Sequence, residues 1–137
     1  MQNRLPHPLP LHHIALKVRD LAASEQFYRE VLGLPLLRQW QDASGKPRAT
    51  WLALESGILM LEITQTATAT VPATPFHCDP PGWHVVAFAI TTEDREAWET
   101  YFDTMGILIV HETPYSFYIQ DPESNRIGFS HYPEAVA

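Results

Sequence analysis

The feature that most constrains this chain is a repeat of itself. Residues 11–64 read as strand, helix and three strands, and residues 83–132 read in the same order. The match reaches single residues. Ile14-Ala15-Leu16 lies over Val86-Ala87-Phe88, Val18 over Ile90, and Gly33 over Gly106. Leu61-Glu62-Ile63 lies over Ile127-Gly128-Phe129. A repeat of about 50 residues is too small to cover its own sheet and closes by pairing with its twin. The expectation is one α+β domain over residues 1–137, with module 1 at 11–64, a linker at 65–82 and module 2 at 83–132.

The first module shows how each element arises. Ile14, Leu16 and Val18 alternate with His13, Ala15 and Lys17, the signature of a strand with one buried face. Asp20 can cap the following helix, in which Phe27, Val31 and Leu32 fall near helical spacing. Gly33 stops it. Strands are expected at Pro35–Gln41, Arg48–Leu54 and Ile58–Thr64, the last apolar except for Glu62. Module 2 predicts a strand at Trp83–Ile90 and a helix at Glu93–Met105. Strands at Ile107–His111, Ser116–Gln120 and Arg126–Tyr132 complete it. The proline-broken residues 1–10 read as an arm. The Thr-, Ala- and Pro-rich connection between the modules has little with which to bury a face. Trp51, Trp83 and Trp98 read as core, and His7, His77, His111 and His131 draw no role.

Charge and length exclude several functions. A formal net charge of −7 argues against a nucleic-acid backbone or an anionic membrane as partner. No apolar run approaches the ~20 residues that span a bilayer. One cysteine, Cys78, cannot form an intrachain disulfide, which fits a cytoplasmic protein. No hydrolase nucleophile motif and no glycine-rich phosphate loop is present.

Two sets of residues carry a resemblance. In module 1 they are His13-Ile14-Ala15-Leu16 with Asp20-Leu21, then Phe27-Tyr28 with Val31-Leu32-Gly33-Leu34. In module 2 they are Val86-Ala87-Phe88 and Asp121-Pro122 with Asn125-Arg126-Ile127. From about Leu11 to Tyr132 the chain resembles the vicinal oxygen chelate superfamily, also called the glyoxalase/bleomycin resistance/dioxygenase family. The resemblance implies that each βαβββ module forms half of a cupped sheet. It further implies one divalent metal (Zn, Ni, Mn or Fe) held by residues of the first and last strand of each module, and a homodimer.

Carried onto this chain, the metal positions are His13 and Glu62 in module 1 and Gly128 in module 2. The remaining histidine position falls on Val85 by the repeat offset. His84 is adjacent and would turn inward only through a β-bulge. His13, Glu62 and His84 are therefore the candidate metal residues. A catalytic metal wants at least three protein ligands and an open position, and Gly128 has no side chain to offer. Glu62 is costly in an apolar strand unless satisfied, so His13 and Glu62 are expected to share one cup, within reach of each other or of one shared atom. Lys17, Tyr118, Gly128 and Ser130 are candidate ligand-binding residues: Lys17 shares the His13 face, and Tyr118 and Ser130 line the cup by alternation. Two functions follow. One is a small-molecule binding protein with a degenerate metal site. The other is a metal-dependent lyase, isomerase or dioxygenase using His13, Glu62 and His84.

Overall fold

The computed structural model describes residues 10–64 and 82–136. The arm, nearly all of the connection, and with them His7, His77 and Cys78 lie outside the described residues. The chain divides into two compact units, Met1–Ala69 and Thr70–Ala137.

The first unit is a four-stranded sheet with one helical segment. Its strands are β1 (His13–Val18), β2 (Leu36–Gln41), β3 (Pro47–Leu54) and β4 (Gly57–Ile63). Their order is β1-β4-β3-β2, with β1 parallel to β4 and the other pairs antiparallel. Helix α1 (Leu21–Gln26) follows β1. Asp20 caps it, its Oδ1 accepting from the Ala23 amide at 3.0 Å. The helix then widens into one π-type turn, Phe27–Val31, closed by the Leu32 amide on the Phe27 carbonyl at 2.9 Å. Gly33, at φ +76°, takes the left-handed position that ends it. Leu21, Phe27 and Tyr28 are buried, as are Leu52, Leu59 and Leu61 of the sheet. Helix α1 touches β3 and β4, so the core of this unit lies between them.

Polar bonds of Glu25 brace that helix and tie it to the sheet. The Glu25 carboxylate accepts from Arg29 at 2.6 Å, Gln39 at 2.8 Å and the Thr50 hydroxyl at 2.8 Å. The β2–β3 turn is organised by Asp42, whose Oδ1 accepts from the Ser44 hydroxyl and from the Ser44 and Lys46 amides. The Ser44 bond, chiefly, holds the Asp42 carboxyl below the usual carboxylate range.

The second unit repeats the plan. Its strands are β5 (Val86–Ala89), β6 (His111–Glu112), β7 (Ser116–Gln120) and β8 (Arg126–Ser130), in the order β5-β8-β7-β6. Helix α2 (Arg95–Thr104) follows β5. Its core is aromatic. Phe102 is fully buried, with ring centroids 5.1 Å from Phe129 and 6.0 Å from Phe117, and Trp98 stacks on Phe129 at 5.8 Å.

Three strands are shorter than the sequence suggests by two residues or more. β5 starts at Val86 because residues 83–85 have no partner in the ladder. β6 shrinks to His111–Glu112, and Leu108 is exposed. β8 ends at Ser130, after which His131 turns inward: its amide reaches the Tyr115 carbonyl at 2.9 Å and its side chain is buried.

Candidate functional site

In the first unit the sheet face turned from α1 is built in rows. Ile14, Leu16 and Val18 are the more buried residues of β1, and His13, Ala15 and Lys17 are exposed on the other face. Register pairs His13 with Ile58, Ala15 with Met60 and Lys17 with Glu62. The rows continue outward: Met60 lies opposite Trp51 and Trp51 opposite Arg38, while Glu62 lies opposite Ala49 and Ala49 opposite Trp40.

His13 and Glu62 thus share a face but stand four residues apart along the ladder, about 13 Å of strand at ~3.3 Å per residue. No hydrogen bond joins them among the described residues. His13 Nδ1 instead meets His12 Nδ1 at 3.0 Å, the two rings edge to face. That contact requires one of the two nitrogens to carry a proton. The residue directly across from Glu62 is Lys17.

The second unit has the same rows. Ala87 pairs with Gly128 and Ala89 with Ser130. Gly128 lies opposite Tyr118, and Tyr118 opposite His111. Superposing the two registers corrects the repeat alignment. Ala15 corresponds to Ala87, and their partners are Met60 and Gly128. Lys17 corresponds to Ala89, and their partners are Glu62 and Ser130. The next strands agree, since Trp51 faces Met60 as Tyr118 faces Gly128. The position symmetric with Gly128 is Met60, and Ser130 stands where Glu62 does. Matching these strands by sequence errs by two residues. A slip of two keeps every side chain on its own face, so hydrophobic alternation cannot detect it.

Gly128 does not leave a hollow. A Cβ built there would lie 2.9 Å from Cε1 of Tyr118 and 3.3 Å from Cβ of Ala87. The Tyr118 ring lies across the glycine and fills the room a larger residue would use. Ser130 is held in a polar cluster, its Oγ accepting from the Ser116 hydroxyl at 2.8 Å and the Tyr132 amide at 3.3 Å.

His84 precedes β5, so strand alternation does not set its direction. It is exposed, and Arg126 donates Nη1–H to its Nδ1 at 3.0 Å. That nitrogen is an acceptor, and the group beside it is a cation. Both features oppose a metal ion on Nδ1. Among the described residues no three His, Cys, Asp or Glu side chains come together as a metal shell. The residues present fit a divalent cation poorly.

Several residues fall outside the sequence-based reading. Trp83 is wholly exposed, not core; Trp98 is half-buried, stacked on Phe102 and Phe129; Trp51 is half-buried on the candidate face. His131 is part of a buried polar node. Arg95 donates to its Nε2 at 3.0 Å, to the Thr113 carbonyl at 3.0 Å and to Glu99 at 2.7 Å. The other ring nitrogen of His131 donates to the Glu134 carbonyl. Nothing in local sequence spacing links Arg95 to His131, which are 36 residues apart. The one legible hint is an arginine opening a helix whose other inward residues are aromatic.

Comparison with known proteins agrees with this architecture. The chain aligns with a glyoxalase/dioxygenase from Nostoc punctiforme at 25% identity and TM-score 0.73, covering 94% of this chain and 97% of that one. A lactoylglutathione lyase from Agrobacterium tumefaciens matches at 24% identity and TM-score 0.68, over 90% and 93% of the two chains. A mutant of the fosfomycin resistance protein FosX from Listeria monocytogenes, complexed with Mn(II) and 1S,2S-dihydroxypropylphosphonic acid, matches at 16% identity and TM-score 0.69, over 88% and 90%. No helix among the described residues is long and apolar enough to cross a membrane. The family model described as Glyoxalase/Bleomycin resistance protein/Dioxygenase superfamily matches residues 10–129. With that match over most of its length and the paired βαβββ units beneath it, the chain belongs to the glyoxalase/bleomycin resistance/dioxygenase superfamily.

Proposed function

We propose that this protein binds a small organic molecule on a cupped sheet face, and that its metal site is degenerate. One observation carries the reading. Of the positions that the repeat makes equivalent, His13 and Val85 form one pair and Met60 and Gly128 the other. Only His13 in that set offers the nitrogen or oxygen donor that a catalytic Zn, Ni, Mn or non-haem Fe site is built from, and such a site needs about three protein ligands. Aromatic walls and a few polar groups suffice for a binding cup. In this reading Lys17 is a ligand-binding residue of the first unit and Tyr118, Gly128 and Ser130 are ligand-binding residues of the second, with the Tyr118 ring closing the space beside Gly128.

A second reading is a metal-dependent lyase, isomerase or dioxygenase with a rearranged shell of His13, Glu62 and His84. Glu62 favours it, as a half-buried carboxylate on an otherwise largely apolar strand. A bound Zn, Ni, Mn or Fe ion would supply Lewis acidity to a substrate oxygen. Elemental analysis of protein purified without a histidine tag, before and after dialysis against EDTA, separates the two. The binding reading expects metal well below one equivalent and an unchanged melting temperature after EDTA. One equivalent, retained through dialysis and lost in His13→Ala, would establish the second reading instead.

A further inference from the structure

The far end of the same sheet face in the first unit carries a charge arrangement that neither reading uses. The Arg38 guanidinium lies 3.7 Å from the centroid of the Trp40 ring, and that of Arg48 lies 5.9 Å from the same centroid. The Trp51 ring sits 5.2 Å from Trp40 and completes an aromatic floor. Two guanidiniums this near one ring are separated by no more than about a Debye length, ~10 Å in 0.1 M salt, so their repulsion is only partly screened.

Among the described residues no ion pair offsets that repulsion. Among the described residues neither Arg38 nor Arg48 forms an ion pair, whereas Arg29 and Arg95 are each closed by a glutamate four residues away. Glu62, the acid on the same face, is two strands from Trp40, about 10 Å at ~4.8 Å per strand. In a chain of net charge −7, two converging and unpaired arginines are a local reversal of sign. Stacking on an indole fixes the plane of a guanidinium while leaving its N–H edge free to donate, and that edge matches the two oxygens of a carboxylate or phosphoryl group.

We propose that Arg38, Trp40 and Arg48 form an oxyanion-binding subsite that takes the carboxylate, phosphate or phosphonate group of a small organic molecule. It stands independently of the metal positions. Strand β2 is a sheet edge, and a charged residue there also discourages edge-to-edge pairing. That role requires only one charge and does not require both arginines to converge on one ring.

The test is an NMR titration of the arginine Nε–Hε resonances with inorganic phosphate at constant ionic strength, with sodium chloride as the matched control. The expected result is a saturating shift of the Arg38 and Arg48 signals at millimolar phosphate and none at Arg29. Arg38→Gln should weaken phosphate binding at least tenfold and Trp40→Leu several-fold. Both arginines are exposed, and circular dichroism checks that the variants remain folded. Repeating the titration with acetate separates a carboxylate-taking site from a phosphoryl-taking one, either of which supports the subsite. A linear shift, the same shift with chloride, or undiminished binding in both Arg38→Gln and Arg48→Gln would overturn it. A failure here leaves the metal analysis untouched, so the two proposals fall separately.

Discussion

Gly128 shows how one residue without a side chain governs its surroundings. Its absent Cβ is what lets the Tyr118 ring approach β8 so closely at this point. Adding a methyl group in Gly128→Ala brings it to 2.9 Å from an aromatic carbon, closer than side-chain carbons approach. The ring is half-buried in the middle of β7, so it yields only by leaving its rotamer. The expected cost is about 1–3 kcal/mol of overpacking, read from chemical denaturation. The cause is specific to one neighbour, so Tyr118→Ala should remove most of that cost in a double-mutant cycle. Additive effects would show that the strain comes from somewhere else. Glu62 makes a different point at the same scale. Its type and phase mark it as exceptional in the sequence, yet the residue it stands beside, Lys17, is set by parallel pairing with a strand 45 positions earlier.

Among the elements, α1 and α2 are fastened to their sheets by different means. Helix α1 is short, and its Asp20 cap and the Glu25 bonds to Gln39 and Thr50 supplement a modest apolar face. Helix α2 relies on Trp98 and Phe102 against Phe117 and Phe129, with Arg95 at its start. Arg95 is 8% exposed and its donors reach Glu99, the carbonyls of Thr113 and Ser116, and His131. Arg95→Leu retains an apolar stem but strands those acceptors, and each buried acceptor left unpaired costs about 1–3 kcal/mol. A loss of about 2–4 kcal/mol in the unfolding free energy is expected on that basis, with His131→Phe recovering part of it when added. A loss below about 0.5 kcal/mol, the range of ordinary surface substitutions, would mean that the node is dispensable. This network was illegible in the sequence because its members come from the start of α2, the β6–β7 connection and the segment after β8. Only folding makes them neighbours.

At the scale of the whole molecule, exposed apolar side chains at the start of β2 predict assembly by side-chain contact, while the charge further along the strand discourages edge-to-edge pairing. β2 is a terminal strand, and Leu36 and Leu37 on it are 39% and 53% exposed. Apolar side chains on an unpaired edge need a cover. A homodimer is the expected state. Sedimentation velocity at micromolar concentration should give twice the chain mass of 15.6 kDa, and a monomer throughout that range would refute it.

The sequence by itself determined the repeated βαβββ plan, the strand faces and the cap and stop of α1. Those features depend on period, on a capping carboxylate and on glycine, all local properties. It also determined that His13 and Lys17 share one face, because alternation assigns the faces of a strand without knowing its partners, whereas Glu62 joins that face through the pairing of β1 with β4. Only the tertiary structure decided which residues lie side by side. Register made Met60 the twin of Gly128, put Lys17 across from Glu62, laid Tyr118 over the glycine and brought Arg126 to His84. The physical reason is that hydrophobic alternation repeats every two residues and therefore leaves a strand free to slide by two, whereas backbone hydrogen bonds and side-chain volume admit a single register.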